Sequence, residues 1–288
     1  MARRKNKTRS RVIVLGNAQK PRVKAAVRRF TAVIEKKAKL VAVDLAEELD
    51  LAKAEADLLV VFGGDGAILS AARRLGRNQI PMVGVNVGKL GFLAEFTPAE
   101  LGRAIPGILR GCCGPTTRML LRCRVIRGRT TVHNSNALND VVISRGSLSR
   151  LIHLDFRISG EEVTTYAGDG LIISTPVGST AHSLSAGGPL ATPQLEALIV
   201  TPICPHTLSN RPLVVSSSEV IEAVVRRHYE DVALTVDGQV YVPLEEDDVV
   251  RVDKSPVKLR LIETPNRTFF QTLHSKLGWG GHPNYAKG

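Results

Sequence analysis

The run Leu58-Leu59-Val60-Val61-Phe62 is apolar at every position and is stopped by Gly63-Gly64-Asp65-Gly66. A strand apolar on both faces must be covered on both, which points to a parallel sheet between helices. The surrounding chain agrees. Short apolar runs at Val12–Leu15, Leu40–Val43 and Met82–Val87 predict further strands. Lys20 to Lys39 puts Val23, Val27, Phe30 and Ile34 on one helical face, Ala67 to Leu75 reads as a helix, and another helix starts near Pro98. The stretch Gly111-Cys112-Cys113-Gly114-Pro115 reads as a boundary.

Beyond that boundary the pattern changes. Short strands are predicted at Met119–Ile126, Ala137–Ser144, Leu151–Ile158, Leu171–Ser174, Leu213–Val215, Val220–Val225, Val232–Val236, Val249–Val252 and Leu259–Ile262. Spacings of this order indicate a layered β domain. Asn266–Leu277 reads as a final helix. The expected division is a basic flexible tail (1–11), an α/β nucleotide-binding domain with a parallel sheet (12–113), an all-β domain (114–264) and a C-terminal helical segment (265–288).

The formal charge of +12 suggests nucleic acid until it is located. Residues 1–40 hold fourteen Lys or Arg against Glu35 alone, and the remaining 248 residues carry a net −1. The excess is a basic arm and first helix, not a folded basic face. With aromatics at 4%, a nucleic-acid partner is not expected. Hydrophobic residues at 43% exclude wholesale disorder, and there is no run of about 18 apolar residues for a membrane span. A cytoplasmic protein is expected, with Cys112, Cys113, Cys123 and Cys204 as free, mostly buried thiols and no Cys-x-x-Cys pair.

The glycine loop sits where an open α/β sheet binds ligands, outside the carboxyl end of a strand. Gly63, Gly64 and Gly66 would let the backbone approach a phosphate, and the helix start offers free amides. The Gly-x-Gly-x-x-Gly dinucleotide fingerprint is absent, and Gly84–Leu90 is one residue short of a P-loop, with Leu90 where a hydroxyl would meet Mg²⁺. The plainer alternative is a tight turn in which Asp65 caps the helix. Phosphoryl transfer would instead use Asp65 to orient an attacking hydroxyl. Asn139-Asp140, opening the run Val141-Val142-Ile143, suits ribose hydroxyls or an adenine edge, or is an ordinary strand start. The stretch Gly168 to Pro189 is rich in Gly, Ser and Thr, whose hydroxyls could bind a polar ligand.

Together these residues resemble the bacterial NAD kinases. The resemblance runs from Gly63-Gly64-Asp65-Gly66 through Asn86 to Leu93, Asn139-Asp140, Ser174 to Pro189 and Asp237-Gly238-Gln239 to Lys276-Leu277-Gly278-Trp279. It implies transfer of the ATP γ-phosphate to the 2′-hydroxyl of the adenosine ribose of NAD, with a divalent metal, most naturally Mg²⁺. It also implies a homodimer or homotetramer, and a final helix returning to the first domain. Carried over, Asp65 is the general base and, with Gly66, contacts NAD. Asn139 and Asp140 hold its ribose and adenine, and Asp169 lies near the nicotinamide. Thr180, Ala181, His182, Ser183, Leu184 and Ser185 wrap the adenosine side, Gln239 lines the same pocket, and Arg150 supplies a basic contact. Gly63, Gly64 and Gly66 take phosphate, and no residue is assigned as a metal ligand. Three positions depart from the pattern: Ala67 for Thr, Asp140 for Glu, and His182 for Tyr, a ring that can still stack or donate. A lipid kinase sharing the glycine loop is the alternative; it has no use for the Thr180–Ser185 block.

Overall fold

The computed structural model describes residues 9–88, 91–146, 151–207, 209–226 and 232–278. The first third folds as β1 (Arg11–Leu15), α1 (Pro21–Lys37), β2 (Lys39–Asp44), β3 (Leu58–Phe62), α2 (Asp65–Leu75), β4 (Met82–Val85) and α3 (Pro98–Leu109). The four strands are parallel, in the order β2-β1-β3-β4. Their residues alternate between two cores. Val60 and Phe62 face Val23, Val27, Phe30 and Ile34 of α1 with Leu101 and Ile105 of α3. Leu59 and Val61 face Ile68, Ala72 and Leu75 of α2. The uninterrupted apolar run is thus buried on both sides by helices, as expected.

The remainder is built from β5 (Thr116–Arg127), β6 (Thr130–Ala137), β7 (Asp140–Arg145), β8 (Ile152–Ile158), β9 (Glu161–Gly168) and β10 (Gly170–Ser174), then a 3-10 turn (Gly178–Thr180) and α4 (His182–Ser185). β11 (Ala197–Ile203), β12 (Leu213–Ser216), β13 (Ile221–Val225), β14 (Val232–Val236), β15 (Val240–Pro243), β16 (Val249–Leu261) and α5 (Phe269–Leu277) complete it. One antiparallel sheet runs β12-β11-β10-β7-β14-β15. It packs on β5, β8, β13 and β16 through a core that includes Leu121, Val141, Ile143, Phe156, Leu171, Leu234 and Val252.

Several strand expectations change. Val249–Val252 and Leu259–Ile262 belong to one strand, β16, irregular between Lys254 and Lys258 where Pro256 interrupts the ladder. β16 pairs β13 and β5 antiparallel and meets β4 in parallel at Leu261↔Met82, so the parallel sheet continues into the β region. Ala137–Ser144 splits at Asn139 into the end of β6 and the start of β7. Most of β6 and all of β9, β11 and β15 lie outside the expected strands.

The C-terminal helix returns to the first region. The Phe269 ring lies 6.1 Å from that of Phe92, and Lys276 Nζ sits 5.0 Å over Phe92. Arg267 Nη1 donates to the Glu95 carbonyl at 2.8 Å. Of the cysteines, only Cys123 is buried, its thiol pushed up to about 12 by burial; Cys112 and Cys204 are exposed, contrary to expectation.

Candidate active site

The helix after the glycine loop starts at Asp65, with Gly64 at the N-cap and no side-chain cap. Asp65 is therefore not a helix cap. Its carboxylate reaches across to the segment after β4 and accepts three consecutive backbone amides: Phe92 N–H at 2.8 Å on Oδ2, and Leu93 and Ala94 N–H at 3.0 Å each on Oδ1. This approach needs glycine at 91, where a Cβ would stand 1.9 Å from Asp65 Oδ1. Gly63 has the same kind of constraint, since a Cβ there would meet Ala67 Cβ at 2.7 Å. A carboxylate accepts about four hydrogen bonds, so Asp65 keeps acceptor capacity on Oδ2.

A second aspartate, not among the predicted site residues, organises the facing edge. Asp237 has φ +51° and accepts the amides of Leu138 (3.1 Å), Asn139 (2.8 Å) and Asp140 (3.2 Å). Burial raises its pKa, against those amides and Arg73. Asp140 is 4% exposed. Burial, then the neighbouring Asp237 charge, raise Asp140 to about 7, while the His182 backbone N–H bonded to it favours the charged form. Asn139 gives its backbone N–H to Asp237 and its carbonyl to Thr175 N–H at 2.9 Å. Its side-chain amide has no hydrogen-bond partner among the described residues.

The Ser/Thr segment folds back on this edge. A Cβ at Gly178 would lie 2.0 Å from the Asn139 carbonyl, so only glycine permits the approach. Most of its hydroxyls secure the loop itself. Thr175 Oγ1 donates to the Leu138 carbonyl, Ser179 Oγ to that of Pro176 and Thr180 Oγ1 to that of Val177. Ser183 is fully buried with its hydroxyl on Thr201 at 2.9 Å. Ala181 and Leu184 are half-buried, and His182 and Ser185 are exposed on α4.

Asp169 stands apart. Ser174 at one end of β10 pairs with Asp140, while Gly170 at the other pairs with Ser144. Asp169, one residue further, is thus roughly 16 Å along the strand from Asp140 at about 3.3 Å per residue. It pairs there with Arg145 Nε at 2.8 Å. Arg150 lies outside the described residues. Gln239 connects the two edges: Nε2 donates to the Gly66 carbonyl at 2.8 Å, and Oε1 accepts from Arg73 Nη2 at 2.9 Å.

Two cavities lie near Asp65, one lined by its glycine-loop neighbours and the other by its amide donors Phe92 and Leu93, although Asp65 itself lines neither. One, of about 420 Å³, lies over the carboxyl ends of β1 and β3 and is lined by Asn17, Lys20, Gly63, Gly64, Gly66 and Ser70, among others. The other, of about 360 Å³, runs between Phe92-Leu93, Val177, Thr180 and α5. Its wall includes Glu95, 8% exposed, whose Oε2 accepts Thr264 N–H at 3.0 Å. Burial pushes Glu95 up to about 7, helped by the Glu263 charge and opposed by the Thr264 amide, Arg118 and Arg267. Among the described residues no group of three or more His, Cys, Asp or Glu could hold a metal ion, and no helix is long and apolar enough to cross a membrane.

Comparison with known proteins agrees with this geometry. Residues 4–112 match the ATP-NAD kinase N-terminal domain and residues 138–264 the ATP-NAD kinase C-terminal domain. An NAD kinase from Geotalea daltonii is 46% identical over 226 residues, 78% of this chain and 80% of its own. One from Rhodopirellula baltica is 40% identical over 271 residues, 94% of this chain and 87% of its own. In fold, yeast NADH kinase complexed with NADH superposes with a TM-score of 0.89 at 24% identity, covering 98% of this chain and 91% of the other. An Archaeoglobus fulgidus NAD kinase in complex with ATP does so at 0.76 and 25% identity, covering 93% and 98%. None of these relatives is a lipid kinase, and the chain belongs to the NAD kinase family.

Proposed function

We propose that Asp65 is the general base in the phosphorylation of NAD by ATP, with the two substrates meeting at its carboxylate from opposite cavities. The observation that carries this is its position: half-buried, flanked in sequence by Gly64 and Gly66 of one cavity and held by the amides of Phe92 and Leu93 of the other and of Ala94, with acceptor capacity to spare. The triphosphate lies over the glycine loop, against the free amides at the start of α2, where the helix dipole favours negative charge. The adenosine of NAD lies between Phe92, Thr180 and the Asn139–Asp140 edge. Asp140 and the unpaired Asn139 amide bind its hydroxyls or base, and the 2′-hydroxyl points at Asp65. A ribose hydroxyl is a poor acid, so Asp65 takes its proton as the bond to phosphorus forms. Such help is worth about 10²–10⁴-fold, and the rest of the rate comes from orientation and the loop amides.

A divalent metal, bound with the triphosphate, would supply charge neutralisation there. Asp169, well removed from Asp140 along β10, lies toward the nicotinamide end of an extended NAD. The family resemblance carries the expectation of a homodimer or homotetramer, which light scattering measures.

The reading is tested by assaying NADP⁺ formation by the purified protein, with ATP and polyphosphate as donors in parallel. Phosphorylation of NAD from ATP is expected, with Asp65→Asn at least about 10² slower. An Asp65→Asn enzyme at the parental rate removes Asp65 from the chemistry.

A further inference from the structure

We infer that Arg73 is a positioning residue that registers the Asp65 edge of the site against the Asn139–Asp140 edge. This rests on the reading that both edges serve one reaction. Arg73 lies on α2, about two turns beyond Asp65. Its Nη2 donates to Gln239 Oε1 at 2.9 Å, and Gln239 Nε2 donates back to the Gly66 carbonyl at 2.8 Å. One glutamine amide is thereby tied to both ends of the helix that presents Asp65.

The other nitrogen, Nη1, is buried, has no hydrogen-bond partner, and lies 4.0 Å from Asp237 Oδ2. The Asp237 side chain is 1% exposed and grips the amides of residues 138–140. A buried carboxylate of this kind needs a neighbouring cation. The cation comes from the helix carrying Asp65, and the carboxylate holds the strand start carrying Asn139 and Asp140. Arg73 and Gln239 are thus a direct polar link between the two edges. Phosphoryl transfer depends on placing the acceptor oxygen against phosphorus, and a shift of about 1 Å can cost about 10²-fold. Arg73 also lines the glycine-loop cavity, but Nη1 is shielded from it. The geometry therefore favours positioning over phosphate binding.

The test compares Arg73→Lys, Arg73→Met and Gln239→Leu in the full chain. Lysine keeps a charge opposite Asp237 but cannot also bridge Gln239; methionine loses both. The expected result is a fall in kcat of about 10-fold for Arg73→Lys and about 100-fold for Arg73→Met, with KM for ATP and for NAD each within about threefold of the parent. The double variant Arg73→Lys/Gln239→Leu is expected to be no slower than the slower single one, since both break one link. A KM for ATP raised tenfold with kcat intact overturns the inference in favour of a phosphate contact. A parental kcat in Arg73→Lys, or additive losses in the double variant, also overturns it. If Arg73→Met does not fold, the lysine and leucine variants decide alone. Asp65→Asn, assayed beside them, separates the failures: if it is fully active, the active-site reading has failed. If it is inactive while Arg73→Lys is normal, only the positioning role has.

Discussion

Asp65 and Asp237 each accept three consecutive backbone amides, yet one is half-buried beside the glycine loop and the other is 7% exposed inside the fold. The hydrogen-bonding device is the same, and the setting separates the roles. Asp65 keeps acceptor capacity on Oδ2. Asp237 spends its carboxylate on the backbone of its neighbours and takes its counter-charge from Arg73. Three amides on a carboxylate do not by themselves mark a catalytic group; the role proposed for Asp65 rests on the acceptor capacity it keeps.

The widest separation should come from the same substitution at both positions. Asp65→Asn is expected to lower kcat at least about 10²-fold; its new amide also faces a backbone donor, but at a half-buried position, so the melting temperature should fall less than in Asp237→Asn. Asp237→Asn turns one amide donor against another and should cost about 1–3 kcal/mol, read as a melting temperature lower by several degrees. If the two variants show the same pattern, the distinction collapses. Gly91→Ala attacks Asp65 from behind, because the new Cβ would collide with Oδ1. A loss of about 10- to 100-fold in kcat is expected; a parental rate would mean that the amide grip has no catalytic value.

Asp140 sharpens the comparison from the buried side. Its carboxyl is raised to about 7, so below that pH it carries a proton and accepts more weakly. KM for NAD should rise as pH falls from 8 to 6, and Asp140→Asn should flatten that profile and raise KM about tenfold at pH 8. An equal change in KM for ATP would assign Asp140 to the framework instead. The smallest effect concerns Glu95. Its folded pKa, about 7, lies above the ordinary carboxylate value of 4.5, so the protonated form favours the fold and stability declines as pH rises between those values. The melting temperature should therefore drop from pH 5.5 to 8, and Glu95→Gln should reduce that drop by a few degrees. A variant with an unchanged slope would show that Glu95 does not titrate in this range.

The parallel-sheet half was legible because its signals are local. The apolar run of β3, the helical face of α1 and the glycine loop each carry their pattern within a dozen residues. The strands that escaped have physical reasons. β6 and β9 are polar along much of their length, and β9 and β15 are edge strands. β11 contains Pro202, which reads as a break. In the fold it lies past the last β12 partner, where a missing N–H costs nothing to the ladder. Within the site, Asp65 announces itself by its glycines. The amides of residues 92–94 do not, because backbone donors leave no residue signature. Asp237 sat inside a recognised motif but its task, like that of Arg73, is set by a partner about a hundred or more positions away. The hydroxyls of residues 175–183 were visible, but not that they face inward to brace a loop.

β16 has a consequence for the order in which the chain can be completed. This thirteen-residue strand borders β4, β5 and β13, and it is the last strand made. During synthesis the edge of β4 and the long flank of β5 wait with open ladders until residue 261 has emerged. A polypeptide stopped before Val249 contains every residue of the glycine loop and of the Asn139 edge, yet carries exposed strand edges that invite pairing with other chains. Nascent protein is therefore open to association through these edges until residues 249–261 arrive.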